Sequence, residues 1–561
     1  MSEQNGMIFA IAISFLILIG FHYFTDVEQT AEVTPNTPQY VNNIKSENTE
    51  GQKLPRSEAL KQSERIFIQT PKLSGSINLV GAVIDDLSLI DYKETTEKNS
   101  SNVNLLNPAN TENPYYISIT WQKVADNHKF DLPNEQTKWS IFGEQKNVLS
   151  SEIPVKLVWA NPQGIIFERT ISIDNIYMIS SVDRIINNSG KDLRITQHCE
   201  IVRIPGQQGR FAASVYEGGI GYFDNTLKEI SFEKLGKGNV VGESVSNGWA
   251  GFTDKYWFTS FIIKEAVPVK INFEQESELV KCKMDTTEIT VKAGENFEYK
   301  NLIFSGAKVL NCLESYEKTH GIKKFELAVD FGWFYFLTKP LFYLLQFFNS
   351  LLGSVALAII ILTILSKILL FPFARKSQIS MTKMKDLQPK MEALKQKYGN
   401  DKVKMNEELL KLYKKDKINP ASGCLPLLVQ MPIFFCLYKV FSISIEMRHA
   451  PLIFWIKDLS APDPSSIFNL LGLIPWTPPA FLQIGLLPIL MGITMFLQQK
   501  LSPQPTDSSQ AKIMYLMPLI FLFMFATFPS GLVLYWTISN ILAILQQLLI
   551  KPENKLSKAK T

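Results

Sequence analysis

The apolar residues of this 561-residue chain are unevenly placed, and this placement limits the fold more than any other feature. A helix that spans a bilayer needs about 20 consecutive apolar residues. Six segments approach that length, at residues 7–24, 355–373, about 425–445, 482–498, 512–528 and 532–550. The region between the first and second segments is instead polar and rich in short β-forming runs. The sequence therefore predicts a soluble domain joined to a helical membrane core.

The N-terminal segment, residues 1–24, is predicted to be an uncleaved membrane anchor. Its C-terminal rim (residues 22–24) is aromatic, and no small-residue cleavage motif follows. Residues 1–6 contain neither Lys nor Arg, so they carry little of the positive charge that marks a cytoplasmic end. Residues 25–62 are rich in Pro, Asn, Thr, Glu and Gln and lack helical periodicity, which indicates a flexible linker.

Residues 63–320 alternate short β-forming runs with turn signals. Residues 155–159 and 165–173 are runs of this kind, and Asn-Pro-Gln-Gly at 161–164 is a typical turn between them. About 250 residues of this pattern favour a single large β-sandwich.

Composition and motifs argue against several classes of function. The net charge of +4 gives no general signal for nucleic-acid binding. The chain has no phosphate-binding loop, no convincing nucleophile–His–carboxylate set and no metal-ligand spacing, so we expect no enzyme activity, cofactor or metal. Five cysteines are present without a CxxC pair, and a disulfide between two of Cys199, Cys282 and Cys312 stays open.

The remaining segments describe a membrane core with a basic cytoplasmic side. Residues 321–350 mix Trp, Tyr, Phe and Lys, which indicates an amphipathic helix at the membrane interface. We place transmembrane helix 2 at 351–373 and transmembrane helices 3–6 within 421–550, with an extracytoplasmic loop at 446–481. The basic tail at 551–561 puts the C-terminus in the cytoplasm, and six spans put the N-terminus there too.

Residues 374–420 combine many Lys and Arg residues with apolar residues at helical spacing. This pattern predicts a basic helical hairpin in the cytoplasm. A solvated coiled coil would show a similar pattern. The residues singled out in this hairpin are Lys383, Lys385, Gln388 and Pro389.

The C-terminal half resembles the YidC/Oxa/Alb family of membrane protein insertases. Six motifs occur in the family's order: DFGWFYFLTKP at 330–340, MTKMKDLQP at 381–389, GCLPLLVQMP at 423–432, FWIKDLS at 454–460, MGITM at 491–495 and FPSGLVLYW at 528–536. The preceding domain is similar to that of the Gram-negative form. The resemblance implies a periplasmic all-β supersandwich and an α-helical polytopic core. In that core, a five-helix insertase bundle encloses a hydrophilic groove closed toward the periplasm.

The proposed substrate site is this groove, and Lys367 provides its positive charge. The family usually has Arg at the matching position, so bidentate recognition of a carboxylate is lost here while the charge is kept. A lysine can also snorkel toward the boundary, and Ser or Thr can simply bond to backbone or bridge helices. The assigned groove residues are Lys367, Thr363, Ser366, Gln430, Thr494, Tyr535, Trp536 and Asn540. The assigned hydrophobic slide is Ile433, Phe434, Phe435, Leu519, Phe523 and Phe525.

The predicted function is insertion, folding and assembly of inner-membrane proteins, without nucleotide hydrolysis. The resemblance implies nascent membrane proteins and the SecYEG translocon as partners. The basic hairpin and tail suit the ribosome, its targeting machinery and anionic lipids, although plain positive-inside anchoring explains the tail equally well. An ion or solute transporter is the first alternative, because intramembrane charge also suits an ion path. A sugar enzyme built on the β domain is the second.

Overall fold

In the computed structural model the described residues are 53–549, except 125–129, 144–146, 207–214, 236–238, 399–400, 417–424, 453–454, 473, 475, 477, 479–482 and 502–507. The predicted anchor (1–24), most of the predicted linker (25–62) and the basic tail (551–561) therefore lie outside the described residues.

The β region contains eighteen strands within the described residues. They are β1 Arg65–Gln69, β2 Leu73–Asn78, β3 Val83–Lys93, β4 Asn102–Leu106, β5 Tyr115–Lys123, β6 Ser140–Ile141, β7 Val148–Leu149, β8 Val155–Ala160, β9 Ile165–Ile173, β10 Met178–Asn187, β11 Leu193–Arg203, β12 Gly218–Phe223, β13 Thr226–Ser231, β14 Asn239–Thr253, β15 Trp257–Glu276, β16 Leu279–Thr286, β17 Ile289–Val291 and β18 Asn296–Ala307. Two short helices accompany them, α1 Arg56–Ala59 and α2 Phe232–Leu235.

Two sets of antiparallel strands share the long β14–β15 hairpin. In the first set, β8, β9, β10 and β18 pair in that order, and β18 then pairs with Trp257–Ile262 of β15. In the second set, Val269–Glu276 of β15 pairs with β16, which pairs with β11, and β11 pairs with β5. Register shifts in β14 between Val240 and Asn247 accompany the passage of the hairpin from one set to the other.

A buried polar network connects the two sets of strands. Arg169 of β9 donates to Asp183 of β10 at 2.7 Å, and it also donates to the carbonyl of Ile119 on β5 at 3.1 Å. Trp121 of β5 donates from Nε1 to the same Asp183 at 2.8 Å. Because a buried charge is tolerated only when it is paired and hydrogen-bonded, this network specifies how the two sets face each other.

Two details of the β region differ from the sequence prediction or resolve it. Residues 53–62, which we assigned to the linker, pack on the domain: Leu54 donates to the Asn110 carbonyl at 2.8 Å, and Arg56 bonds to Asp86. The linker boundary at residue 62 was therefore wrong, because the polar composition of this stretch concealed specific hydrogen bonds. The three cysteines of the open disulfide question are all free thiols.

The C-terminal region is helical. Its helices are α3 Leu310–His320, α4 Tyr335–Leu352, α5 Val355–Tyr398, α6 Lys402–Lys415, α7 Leu425–Ile443, α8 Leu486–Leu501, α9 Ser508–Phe525 and α10 Ser530–Leu549. Short 3₁₀ turns lie at Phe325–Ala328, Ile445–Met447 and Ile467–Gly472.

Helix α5 corrects the predicted boundary at residue 373. It is one helix of 44 residues that passes from the apolar segment into the basic segment without a break and contains Pro372 and Pro389. Good helix formers such as Arg375 and Lys376 follow the first proline, so the helix continues beyond it.

Within the described residues, two helical segments are long and apolar enough to cross a membrane, Val355–Ser380 and Ser530–Leu549. Three shorter apolar helical segments lie at Gln430–Ile443, Leu486–Leu501 and Met514–Phe525. Helix α10 packs against α5, α7 and α8, while α9 packs chiefly against α8. Helix α10 is thus the common partner, which explains why most of its N-terminal half is buried.

Asp463 organises the segment that joins α7 to α8. Its carboxylate accepts from the Leu487 N–H at 2.8 Å at the start of α8, from Trp455 Nε1 at 3.0 Å and from Ser465 at 2.7 Å. The nearby Ala461 carbonyl accepts from the Ser530 N–H at 2.8 Å at the start of α10. One loop therefore caps two helices of the core.

Candidate functional site

Lys367 lies where three helices of the core meet. It projects from α5, is half-buried, and its Nζ donates to Oε1 of Gln430 on α7 at 3.4 Å. The amide nitrogen of Gln430 in turn donates to the hydroxyl of Tyr535 on α10. The Tyr535 contact orients the amide so that its carbonyl oxygen faces the ammonium group.

In the part of the chain that the structure describes, no carboxylate forms an ion pair with Lys367. Two other shielded cations do have a carboxylate partner: Arg169 pairs with Asp183 at 2.7 Å, and Lys439 pairs with Asp330 at 2.6 Å. An ammonium group at the centre of a membrane span costs roughly 2.5–3.5 kcal/mol by insertion scales. One neutral amide offsets only part of that cost, so this position suits water or an anionic guest.

The two hydroxyl residues beside Lys367 serve their own helix. Thr363 is fully buried and donates to the Ile359 carbonyl at 2.7 Å, and Ser366 donates to the Thr363 carbonyl at 2.7 Å. Backbone bonding was the simpler of the two roles open for these residues. The oxygen lone pairs that remain can still accept from a guest.

Thr494 and Asn540 form a separate contact between α8 and α10. The buried Asn540 side chain donates to Thr494 Oγ1 at 3.3 Å and to the Met491 carbonyl at 3.4 Å. Among the described residues, no hydrogen bond connects this pair to Lys367. Their geometry is that of a polar bridge that holds two helices together.

An aromatic cluster joins α7, α9 and α10. The Trp536 ring lies 5.0 Å from Phe434, 6.1 Å from Phe521 and 5.3 Å from Phe525, measured between ring centroids. Phe434 and Phe525 also contact each other, at 6.4 Å. Edge-to-face and offset contacts between aromatic rings contribute more to stability than the burial of their surface alone. The cluster therefore fills the space between α7, α9 and α10.

The structure divides the residues assigned to the hydrophobic slide. Phe434 and Phe525 are buried in the aromatic cluster, Ile433 and Phe435 are half-buried, and Leu519 and Phe523 are each 50% exposed on α9. Leu519 and Phe523 lie one turn apart on one face of α9, as residues four positions apart do. A single continuous surface through all six residues is therefore not present.

The basic segment folds as a helical hairpin. Leu387 and Met391 of α5 pack against Leu409, Leu412 and Tyr413 of α6. Lys383 and Pro389 lie exposed on the outside, and the side chains of Lys385 and Gln388 lie outside the described residues.

Sequence reasoning missed a set of polar residues that joins α4 to α3 and to the 3₁₀ turns at Phe325–Ala328 and Ile445–Met447. Lys339 of α4 pairs with Glu326 at 3.0 Å and with Glu314 at 3.1 Å, and Gln346 donates to Glu446 at 2.8 Å. Partial burial opposes the charge of Lys339, but the hydrogen bonds to Glu326, Tyr335 and Glu314 raise its pKa above the usual value. Charges at helix ends were visible in the sequence, but nothing in it indicated their partners.

The family models match nearly the whole chain in two parts. Residues 65–344 match the YidC periplasmic domain, and residues 347–558 match the 60Kd inner membrane protein. A "Membrane protein insertase YidC" from Rickettsia felis is 43% identical over 559 residues, which covers 98% of this chain and 99% of that protein. One from Rickettsia canadensis is 43% identical over 560 residues, with the same coverage. The chain belongs to the YidC family.

Among solved structures, a YidC insertase with its first transmembrane domain resolved is 16% identical to this chain, with a TM-score of 0.37. It covers 88% of this chain and 94% of its own. The family confirms the coarse architecture predicted from the sequence. Residues 65–344, which contain all eighteen described strands, form the periplasmic domain, and α5 and the helices after it lie in the part that matches the inner membrane protein.

Proposed function

We propose that this protein inserts nascent membrane proteins into the inner membrane through a groove that contains Lys367. Its curated relatives are named insertases, and they match the chain from end to end. The observation that carries the mechanism is the half-buried Lys367 ammonium group, held by Gln430 and facing no carboxylate among the described residues.

The first step is capture of a polar tail. A short acidic or polar N-terminal tail of the substrate enters the groove from the cytoplasm, and Lys367 attracts it in a setting of low dielectric. Gln430 provides both an acceptor and donors for the tail's backbone, and Tyr535 holds that amide in place. The distance that the tail must cross through lipid becomes shorter.

The second step is release of the apolar segment into lipid. The exposed side chains of Leu519 and Phe523 on α9 provide an apolar path at the edge of the core. Transfer of about 20 apolar residues into the bilayer supplies the driving force, so no nucleotide is hydrolysed. The aromatic cluster of Phe434, Phe525 and Trp536 limits passage to the periplasm.

The finer architecture that we propose has six transmembrane helices and a periplasmic β-supersandwich. The N-terminal anchor and α5, α7, α8, α9 and α10 are the six helices, and both termini lie in the cytoplasm. Helix α4 lies in the periplasmic interface, where the exposed Trp333 and Phe336 suit the headgroup region. The basic hairpin faces the ribosome and its targeting machinery, and SecYEG and membrane lipids are the other proposed partners.

The decisive experiment is complementation of an insertase-depleted strain with variants of Lys367, scored on insertion of a small two-span substrate. Lys367→Arg is expected to insert normally, and Lys367→Glu to fail because it repels an acidic tail. Lys367→Ala is expected to fail only with substrates whose tail is acidic. Full activity of the Glu variant would remove this lysine from the mechanism.

A further inference from the structure

Asp330 lies at the junction of the periplasmic domain and the helical core. One of its oxygens, Oδ2, accepts from the Tyr216 N–H at 2.9 Å and from Lys439 Nζ at 2.6 Å. Tyr216 lies two residues before β12 of the domain, and Lys439 lies in the last turns of α7. A single carboxylate oxygen therefore connects the two parts of the molecule.

Arg448 provides a second contact between the same two parts. It donates from Nη2 to the carbonyls of Lys93 at 2.6 Å and Glu94 at 3.3 Å, at the end of β3. Its guanidinium group lies over the ring of Trp257, 5.5 Å from the centroid, at the start of β15. The domain thus contacts the segment after α7 as well as α7 itself.

The Asp330 contact is shielded enough to be strong. The side chains of Lys439 and Asp330 are only 17% and 20% exposed. A hydrogen bond to a charged group contributes more than a neutral one, and burial reduces screening by solvent. Asp330 also acts on Lys308 of the domain: burial lowers the pKa of Lys308 to about 8, and the charges of Asp254 and Asp330 oppose that shift.

Helix α7 connects this junction to the groove. Lys439 follows Gln430 by nine residues, which is about 13 Å along a helix at 1.5 Å per residue. Pro432 lies between them, but α7 continues through it as one helix, so a displacement at Lys439 is carried along the helix to Gln430. The position of Gln430 therefore depends on how the C-terminal part of α7 is held.

We infer that Asp330, Lys439 and Tyr216 form a clamp that fixes α7 against the periplasmic domain and thereby positions the Gln430 amide beside Lys367. This inference rests on the proposed function. Asp330 is in this view a positioning residue for substrate selection, although it lies on the far side of the core from the cytoplasmic entrance. Loosening the clamp weakens the part of insertion that depends on Lys367 more than insertion as a whole.

The clamp is tested first as a contact, in the full-length protein reconstituted in liposomes. Asp330→Ala is expected to raise the amide exchange rate at Tyr216 about tenfold, which corresponds to about 1.4 kcal/mol. Asp330→Glu retains a carboxylate and should restore most of the protection. Glu112→Ala, which removes an exposed carboxylate from the same domain, is the matched control and should leave exchange at Tyr216 unchanged.

The effect on selection is tested with two substrates that share one transmembrane segment and differ only in an acidic or neutral tail. For Asp330→Ala, the insertion rate of the acidic-tailed substrate divided by that of the neutral-tailed substrate is expected to fall about threefold toward unity. The ratio should recover in Asp330→Glu and stay at the wild-type value in Glu112→Ala. A general loss of folded protein would lower both rates together and leave the ratio unchanged.

The outcomes separate the clamp from the proposed function. Faster exchange at Tyr216 with an unchanged ratio overturns the coupling and leaves the Lys367 mechanism intact. A lower ratio of insertion rates without faster amide exchange at Tyr216 would mean that loss of the Asp330–Tyr216 contact is not the cause of the change in selection. A wild-type ratio near unity contradicts the role of Lys367 itself, and the coupling is rejected with it.

Discussion

The buried Arg169–Asp183 pair gives the sharpest prediction for stability of the periplasmic domain. Asp183 accepts from Arg169 Nε and Nη2, both at 2.7 Å, from Trp121 at 2.8 Å and from Gln197 at 3.3 Å. Both charged side chains are 1% exposed. Asp183→Ala leaves the guanidinium group buried without a counter-charge.

The expected cost follows from that burial. Breaking a buried ion pair by removing one partner costs about 3–5 kcal/mol. For a domain of this size, each kcal/mol lowers the midpoint of thermal unfolding by about 2–4 °C. Asp183→Ala should therefore lower the Tm of the domain by about 6–20 °C, and Asp183→Asn should lower it less because it keeps an acceptor for Trp121.

The assay is thermal unfolding of the full-length protein in detergent, followed by tryptophan fluorescence, because Trp121 contacts Asp183 directly. Glu288→Ala is the matched control, since Glu288 also pairs with an arginine, Arg194, but at the surface. The control should show no resolvable change in Tm. Equal shifts in the two variants would refute the argument from burial.

Three further predictions concern the groove, the loop after α7 and pH. Tyr535→Phe removes the acceptor that orients Gln430, so insertion of an acidic-tailed substrate should slow about two- to tenfold in a proteoliposome assay. Asp463→Ala removes the cap of α8 and should lower the free energy of unfolding by about 1–2 kcal/mol, which a lower midpoint of chemical denaturation in detergent would show. His198 has its pKa raised to about 9, because bonds to Asp285 and Glu200 outweigh partial burial. The protonated side chain therefore stabilises the folded state by up to about 3 kcal/mol. This contribution is complete below pH 6.5 and disappears as the pH rises through 9. The Tm difference between wild type and His198→Gln should therefore vanish near pH 10.

The order of domains could be predicted because each signal is local. A run of about 20 apolar residues or an alternation of β-forming residues needs no partner elsewhere in the chain. The linker boundary failed for the opposite reason: Arg56 is joined to the domain through Asp86 and Ser88, residues 30 and 32 positions away. The boundary at 373 was drawn where apolar residues give way to basic ones, and this change of composition does not end the helix.

The candidate site was predictable in its residue types but not in its contacts. Lys367 and Gln430 stand out as polar residues in apolar segments, and the structure brings them together. The bond between Gln430 and Tyr535 joins residues 105 positions apart, and no pattern in one sequence specifies such a pair. The separation of Thr494 and Asn540 from Lys367 likewise depends on how α8 and α10 pack.

The continuity of α5 has a mechanical consequence. Its 44 residues make a rod about 66 Å long, with Lys367 in its first half and the packed hairpin residues Leu387 and Met391 in its second. A load applied to the hairpin, for example by the proposed ribosomal partner, would reach Lys367 along one continuous helix. Any bend on the way should be concentrated at Pro372 and Pro389, where the helix lacks a backbone hydrogen bond.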